Sequence, residues 1–180
     1  MAMRQSHYEL AFEAYLSRRG TPCVVVEDVK HLAKPKTGAK IFDYIVYPPG
    51  ETACIVDVKG RKSTRKSEKS DCRQKTWVTR ADVEGLQAWQ RVFGRDYLAM
   101  FVFAYWLAED SQSSEETGGG AEPRTFAYAG RHYSFWLVPV AEYSMHQKRL
   151  SKSWDTVSIP REVFRSISRR LESSWPAAPC

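Results

Sequence analysis

Cysteine is scarce and unpaired. The 180 residues hold four, Cys23, Cys54, Cys72 and Cys180, scattered singly with no CxxC and no histidine nearby at metal-ligand spacing. That pattern argues against both a disulfide framework and a zinc site. Long apolar runs are missing as well, since none approaches the ~20 residues that a membrane span needs. The opening residues, MAMRQSHYELAFEAYL, form an amphipathic pattern with two glutamates and not a signal peptide. The expectation is a cytoplasmic protein with no membrane partner. Acidic charge is in deficit, with 21 Asp and Glu against 27 Lys and Arg and a net charge of +6. A surplus of this sign favours polyanionic partners. It is local: residues 59–75 hold eight basic residues and two acids.

What is present is the composition of one folded domain over residues 1–180, with 43% hydrophobic, 13% aromatic and 27% charged residues. A chain this long buries about 70% of its unfolded surface and needs no covalent staple. Cys23 and Cys54 sit in β-rich runs and read as small buried side chains.

Tyr8, Ala11, Phe12, Tyr15 and Leu16 recur at helical spacing within residues 6–19, and Gly20 follows as a stop signal. TPCVVVED, IFDYIVY and ACIVDVKG read as three strands, the second ended by Pro48, Pro49 and Gly50 and the third by Gly60. RKSTRKSEKSDCRQK has no periodicity and reads as an exposed basic loop. Thr79 and Asp82 read as an N-cap and its third-position acid, opening a helix through Val83, Leu86, Trp89 and Val92 to Gly94. YLAMFVFAYWLA is a strand buried on both faces. Residues 109–124 are low in complexity and read as a flexible loop. In residues 125–172, TFAYAG and HYSFWLVPV form a hairpin, and short helices are expected over 143–150 and 161–171. No internal repeat is present. The order is that of an α/β domain with a mixed sheet.

The third strand carries the chemistry. Alternation sends Cys54, Val56 and Val58 to one face and Ile55, Asp57 and Lys59 to the other. A carboxylate and an ammonium on a core strand are costly unless paired, metal-bound or at a cleft. Asp43 interrupts the preceding strand in the same way. Carboxylates on adjacent strands can hold Mg²⁺ or Mn²⁺, and a lysine beside them can orient a water or stabilise oxyanions. Such groups suit phosphodiester hydrolysis. On the first helix Glu9 borders the apolar stripe and Glu13 lies further toward solvent, so Glu9 is the better third acid.

HYELAFEAYLSRRG, IFDYIVY and IVDVKGR, taken in that order, resemble the PD-(D/E)xK nuclease superfamily, which includes restriction endonucleases and archaeal Holliday junction resolvases. The separation of Glu9 from the helix-closing Gly20 is like that of resolvase-like members. The resemblance covers residues 5–107 and implies an αβββαβ restriction-endonuclease-like core, with the C-terminal hairpin and helices appended. Phe42 stands where the motif name has Pro, and Asp57 where Glu is more frequent. It implies a metal-dependent nuclease acting on DNA, with RNA left open, and allows for a homodimer. It further implies Asp43, Asp57 and Glu9 as metal ligands joined by the Val58 carbonyl, Lys59 at the attacking water, and Gln87 as a polar group on the second helix. The alternative is an inactive nuclease fold that only binds nucleic acid.

Arg61, Lys62, Arg65, Lys66, Lys69 and Arg73 are the expected phosphate contacts. Trp77, beside them, is the tryptophan that could stack on a base, whereas Trp89 and Trp106 fit buried faces. Plainer readings compete. Asp57 and Lys59 could be a structural ion pair, Asp43 could cap a turn, and Glu9 or Glu13 could pair with Arg18 or Arg19. His7, a second-base candidate, could be a surface or capping group.

Overall fold

The structure, a computed structural model, describes residues 6–26, 40–63, 75–107 and 125–171. The predicted 109–124 loop, Cys72, Cys180, and Arg65, Lys66, Lys69 and Arg73 of the basic segment lie outside the described residues.

Helix α1 (His7–Arg18) buries Ala11, Phe12, Tyr15 and Leu16 along one stripe. It opens on a capping box in which Ser6 and Glu9 satisfy each other's main-chain donors. Gly20, at φ 63, then turns the chain through the left-handed region that glycine enters without a steric penalty. Strands β1 (Cys23–Val25), β2 (Tyr44–Val46) and β3 (Ala53–Lys62) follow as an antiparallel series. A two-residue strand, β4 (Val78–Thr79), precedes helix α2 (Arg80–Phe93), and β5 (Tyr97–Leu107) returns parallel to β3. Parallel neighbours cannot be joined by a tight turn, so α2 is the crossover between them.

Strand β6 (Phe126–Tyr128) pairs antiparallel with β7 (Arg131–Pro139), and Ala129 and Gly130, both at positive φ, form the two-residue turn between them. Helix α3 (Val140–His146), β8 (Lys148–Ser151), β9 (Thr156–Ser158), α4 (Arg161–Ile167) and β10 (Arg169–Arg170) complete the described residues. The main sheet runs β1-β2-β3-β5-β7-β10 with β6 on β7, and a second sheet runs β4-β9-β8.

The alternation expected in β3 is observed. Val56 and Val58 pack with Phe12, Leu16, Tyr44, Val102 and Phe135 beneath α1. Ile55 packs with Leu86, Trp89, Phe101 and Phe103 beneath α2. Asp57 and Lys59 therefore point to the α2 side.

Several boundaries differ from the sequence reading, the first strand among them, which covers only Cys23–Val25 of TPCVVVED. The second predicted strand shortens to Tyr44–Val46. The helix expected over 143–150 is α3, ending at His146, because the extended Gln147 leads into β8, whose bonds go to β9. The helix expected over 161–171 ends at Ile167, and Leu171 donates to the Phe135 carbonyl at 3.1 Å beyond the β10–β7 pairing. Finally, Gly60 does not end β3. The strand continues to Lys62 because β5 pairs with it up to Trp106.

Glycine is required at position 60 for a different reason, which is that the ring of Tyr8 lies against its Cα. A Cβ there would stand 2.1 Å from Tyr8 Cδ2. Gly60→Ala should therefore destabilise the fold by about 1–3 kcal/mol, the usual cost of overpacking. Adding Tyr8→Ala should recover part of that stability, measured as the midpoint of chemical denaturation.

Candidate active site

Asp43 stands one residue before β2 and still follows β3. Its N–H donates to the Val56 carbonyl at 2.9 Å, and its Oδ2 accepts the Val58 N–H at 2.7 Å. Asp57 lies between those two anchor points. Within a strand, one residue's N–H and C=O leave on the same edge. The Val58 carbonyl therefore faces the Asp43 side, where β2 has already ended.

Asp57 is buried, and its partner is Lys59, whose Nζ lies 2.7 Å from Asp57 Oδ2. The same ammonium lies 3.1 Å from Oδ1 of Asp82, in the first turn of α2. Lys40 donates to that Oδ1 as well. Its backbone is held by α2, with the Trp89 indole N–H donating to the Lys40 carbonyl at 3.0 Å. Gly85 leaves room for this approach, since a Cβ there would meet the Lys40 oxygen at 3.0 Å. Two lysines and three carboxylates are thus gathered where α2 crosses β3.

Electrostatics divides the three acids. Burial pushes the Asp43 carboxyl up, and the charge of Asp57 pushes it further, to about 8. Burial also raises Asp57 against the pull of Lys59. For Asp82, burial acts in the same upward direction, but the Lys59 charge and hydrogen bonds from Lys40 and Thr79 outweigh it and hold the carboxyl at about 2. Asp82 is the fixed anion that anchors both lysines, and Asp43 with Asp57 is short of positive charge.

That shortage is the test of fit for a hard cation. The charge of buried Asp57 opposes ionisation of half-buried Asp43, a main-chain carbonyl faces the same edge, and all the donors are hard oxygens, as Mg²⁺ and Mn²⁺ require. Among the described residues no three His, Cys, Asp or Glu side chains are placed to hold a metal ion together, Asp82 being turned to the two lysines.

Glu9 sits on the α1 side, where its carboxylate takes the Ser6 hydroxyl at 2.7 Å and the Ser6 N–H at 3.4 Å. Its charge nevertheless contributes to the rise at Asp43. Glu13 is half-buried further along α1, where its charge acts on Tyr44 and Cys23. His7 bonds the Tyr133 hydroxyl through Nδ1 at 2.9 Å and stacks on Tyr8, on the sheet face opposite Asp57 and Lys59. Gln87 is half-buried on α2 and makes no hydrogen bond with described residues.

Arg61 and Lys62 lie on β3, where one is half-buried and the other exposed. The Arg61 guanidinium covers the Trp77 ring at 4.1 Å and bonds the Trp77 carbonyl. Trp77 stays 38% exposed, and Trp89 is buried as expected. Trp106 is half-buried, with Lys62 Nζ 4.6 Å and Arg131 4.8 Å from its ring centre.

Asp82 and Lys40 are the residues that sequence reasoning missed. For Asp82 a signal existed: it lies four and seven residues before Leu86 and Trp89, on the buried stripe of its helix, where a carboxylate needs a partner. Lys40 has no such signature.

Element order, sheet order and crossover make this a restriction-endonuclease-like α/β fold. One solved structure with this fold is Archaeoglobus fulgidus Hjc, a Holliday junction resolvase from an archaeal hyperthermophile. It shares 17% identity with this chain over 93% of it and 97% of Hjc, at a TM-score of 0.50. No protein-family model and no curated protein matches the chain. No helix among the described residues is long and apolar enough to cross a membrane.

The state of Asp43 yields a pH prediction. In the folded chain it keeps its proton up to about pH 8, whereas an unfolded aspartate releases it near pH 4. Folding takes up a proton between those values, so this group makes stability fall as pH rises through the window. In chelator, Asp43→Asn should raise the melting temperature by several degrees at pH 8.5 and by less at pH 5. Equal shifts at both pH values would contradict the buried carboxyl.

Proposed function

We propose that this protein is a metal-dependent nuclease that hydrolyses phosphodiester bonds in DNA, in a setting of repair, recombination or defence. The observation that carries this reading is a half-buried lysine, Lys59, held between Asp57 and Asp82 with Asp43 at the adjacent strand end. A structural ion pair needs one acid for one base. Here the acids outnumber the lysines, as a phosphoryl-transfer site with a divalent cation requires.

In this reading Asp43, Asp57 and the Val58 carbonyl hold Mg²⁺ or Mn²⁺, with Glu9 acting through water beside Asp43. The ion, when bound, supplies positive charge at the scissile phosphate and acidifies a water. Lys59 orients the attacking water and donates to phosphate oxygens as their charge grows. Asp82 keeps the Lys59 ammonium in place when Asp57 turns toward the cation. Lys40, exposed beyond Asp82, adds a second cation for the backbone. The likeness to a Holliday junction resolvase makes branched DNA the first substrate to try. A homodimer and a cytoplasmic setting belong to the same reading.

Plasmid, linear duplex, single-stranded and four-way-junction DNA, each incubated with Mg²⁺, Mn²⁺ or chelator, test the activity. Lys59→Ala should lower the melting temperature, because Asp57 and Asp82 lose their shared counter-charge, yet below that temperature it should still bind DNA while the cleavage rate falls by on the order of 10² to 10⁴. Asp57→Asn should abolish both metal binding, read by calorimetry, and cleavage. Variants that melt early, beside a native chain that binds DNA without cutting it, would leave an inactive binding module.

The basic segment supports affinity in this reading. Changing Arg65, Lys66 and Lys69 to Ser should weaken DNA binding and flatten its salt dependence, the slope falling by roughly one for each phosphate no longer neutralised. An unchanged slope would place the DNA surface elsewhere.

A further inference from the structure

The hairpin formed by β8 and β9 has no part in the site around Asp57 and Lys59. Its turn carries Trp154, which is 79% exposed. An indole left in water contributes nothing to the core, yet the backbone that carries this one is fixed. The Trp154 main-chain N–H donates to Ser151 Oγ at 3.3 Å, and Ser151 Oγ lies 3.1 Å from Ser153 Oγ. Asp155, at φ 43, sits in the left-handed region that non-glycine residues enter at a cost. Its carbonyl accepts the Arg80 N–H at 2.9 Å, and its carboxylate takes the Arg80 side chain. Arg149 approaches the same carboxylate at 3.7 Å.

The turn is thus bolted to the first residue of α2, two residues before Asp82. Its charge is one-sided. Lys148, Arg149 and Lys152 are exposed, and the hairpin's acid, Asp155, is engaged by Arg80 and Arg149. Lys148 and Lys152 have no carboxylate partner among the described residues. An exposed indole on an anchored turn that also carries cations without a carboxylate partner among the described residues, beside a site that reads as acting on phosphodiesters, matches the physics of nucleobase stacking. The flat ring meets a base face while the cations meet flanking phosphates.

We propose that the β8–β9 hairpin is a second nucleic-acid contact, in which Trp154 stacks on an exposed base and Lys148 and Lys152 hold the adjoining phosphates. Bases show a free face at branch points, forks and single-stranded ends, and not within a continuous duplex. The substrate class this selects is DNA with a discontinuity. The inference rests on the nuclease reading and deepens it by naming what the site is presented with.

The test is binding in chelator, where no cleavage occurs, to a four-way junction, a fork and a blunt duplex of matched sequence. Trp154→Ala should weaken binding to the junction and fork by about five- to a hundredfold, the range for removing one base–aromatic stack. Trp154→Phe should restore most of it, and blunt duplex should be affected least. Lys152→Gln should flatten the salt slope by about one. Melting temperatures should not move, because the side chain is exposed. Native-like binding by Trp154→Ala overturns the proposal, and if the native chain still cleaves these DNAs in Mg²⁺, the nuclease reading survives. A change in oligomeric state on Trp154→Ala, with DNA affinity unchanged, also overturns it and makes the hairpin a contact between copies. A native chain that neither binds nor cuts any of the three overturns both.

Discussion

Ten consecutive residue pairs, from Ala53–Tyr97 to Lys62–Trp106, join β3 to β5 in parallel, and the rest of the molecule follows from that pairing. Because parallel strands need a crossover, the chain must leave β3 at one end and return at the other. It does so through α2, whose Leu86 and Trp89 close over the β3 face carrying Ile55. Asp57 and Lys59 are on that face as well, so the helix that seals the core brings its first turn against the site. The second sheet continues the logic, with β4 leading into α2 and β9 pairing with β4.

Burying charge on such a strand is tolerable only in a balanced set. Lys59 answers Asp57 and Asp82 together, and Lys40 relieves Asp82 from its outer side. Asp43 is left over, bonded to a main-chain N–H but in no ion pair with a described residue, and its raised pKa expresses that imbalance. Half of a buried network that is satisfied, beside half that is not, is poor design for stability alone. It is a sound design for a site that receives positive charge from outside.

Two capping boxes illustrate how one residue can serve two ends. Ser6 with Glu9 opens α1, and Thr79 with Asp82 opens α2. The sequence assigned Glu9 to chemistry and Asp82 to the cap. In the structure both carboxylates cap their helices. The Glu9 oxygens are both directed at Ser6, whereas Asp82 gives Oδ2 to the Thr79 N–H at 2.8 Å and keeps Oδ1 for Lys59.

Sequence alone determined the elements whose signals are local. The 3.6-residue stripe of α1, the strict alternation in β3, the T-x-x-D opening of α2, the apolar run of β5 and the β6–β7 hairpin were all legible. So were the residues of β3 that carry charge, because a polar side chain at a core position stands out against its neighbours. Short strands such as β8 and β10 were not legible, since two to four residues have no period of their own and become strands by the partner they meet. Nor was the partnership of Lys59 with Asp82 and Lys40, or the seating of Trp154 beside α2. Those contacts join residues far apart in the chain and come from the angle and depth at which a crossover helix packs on a sheet, which only the folded core decides.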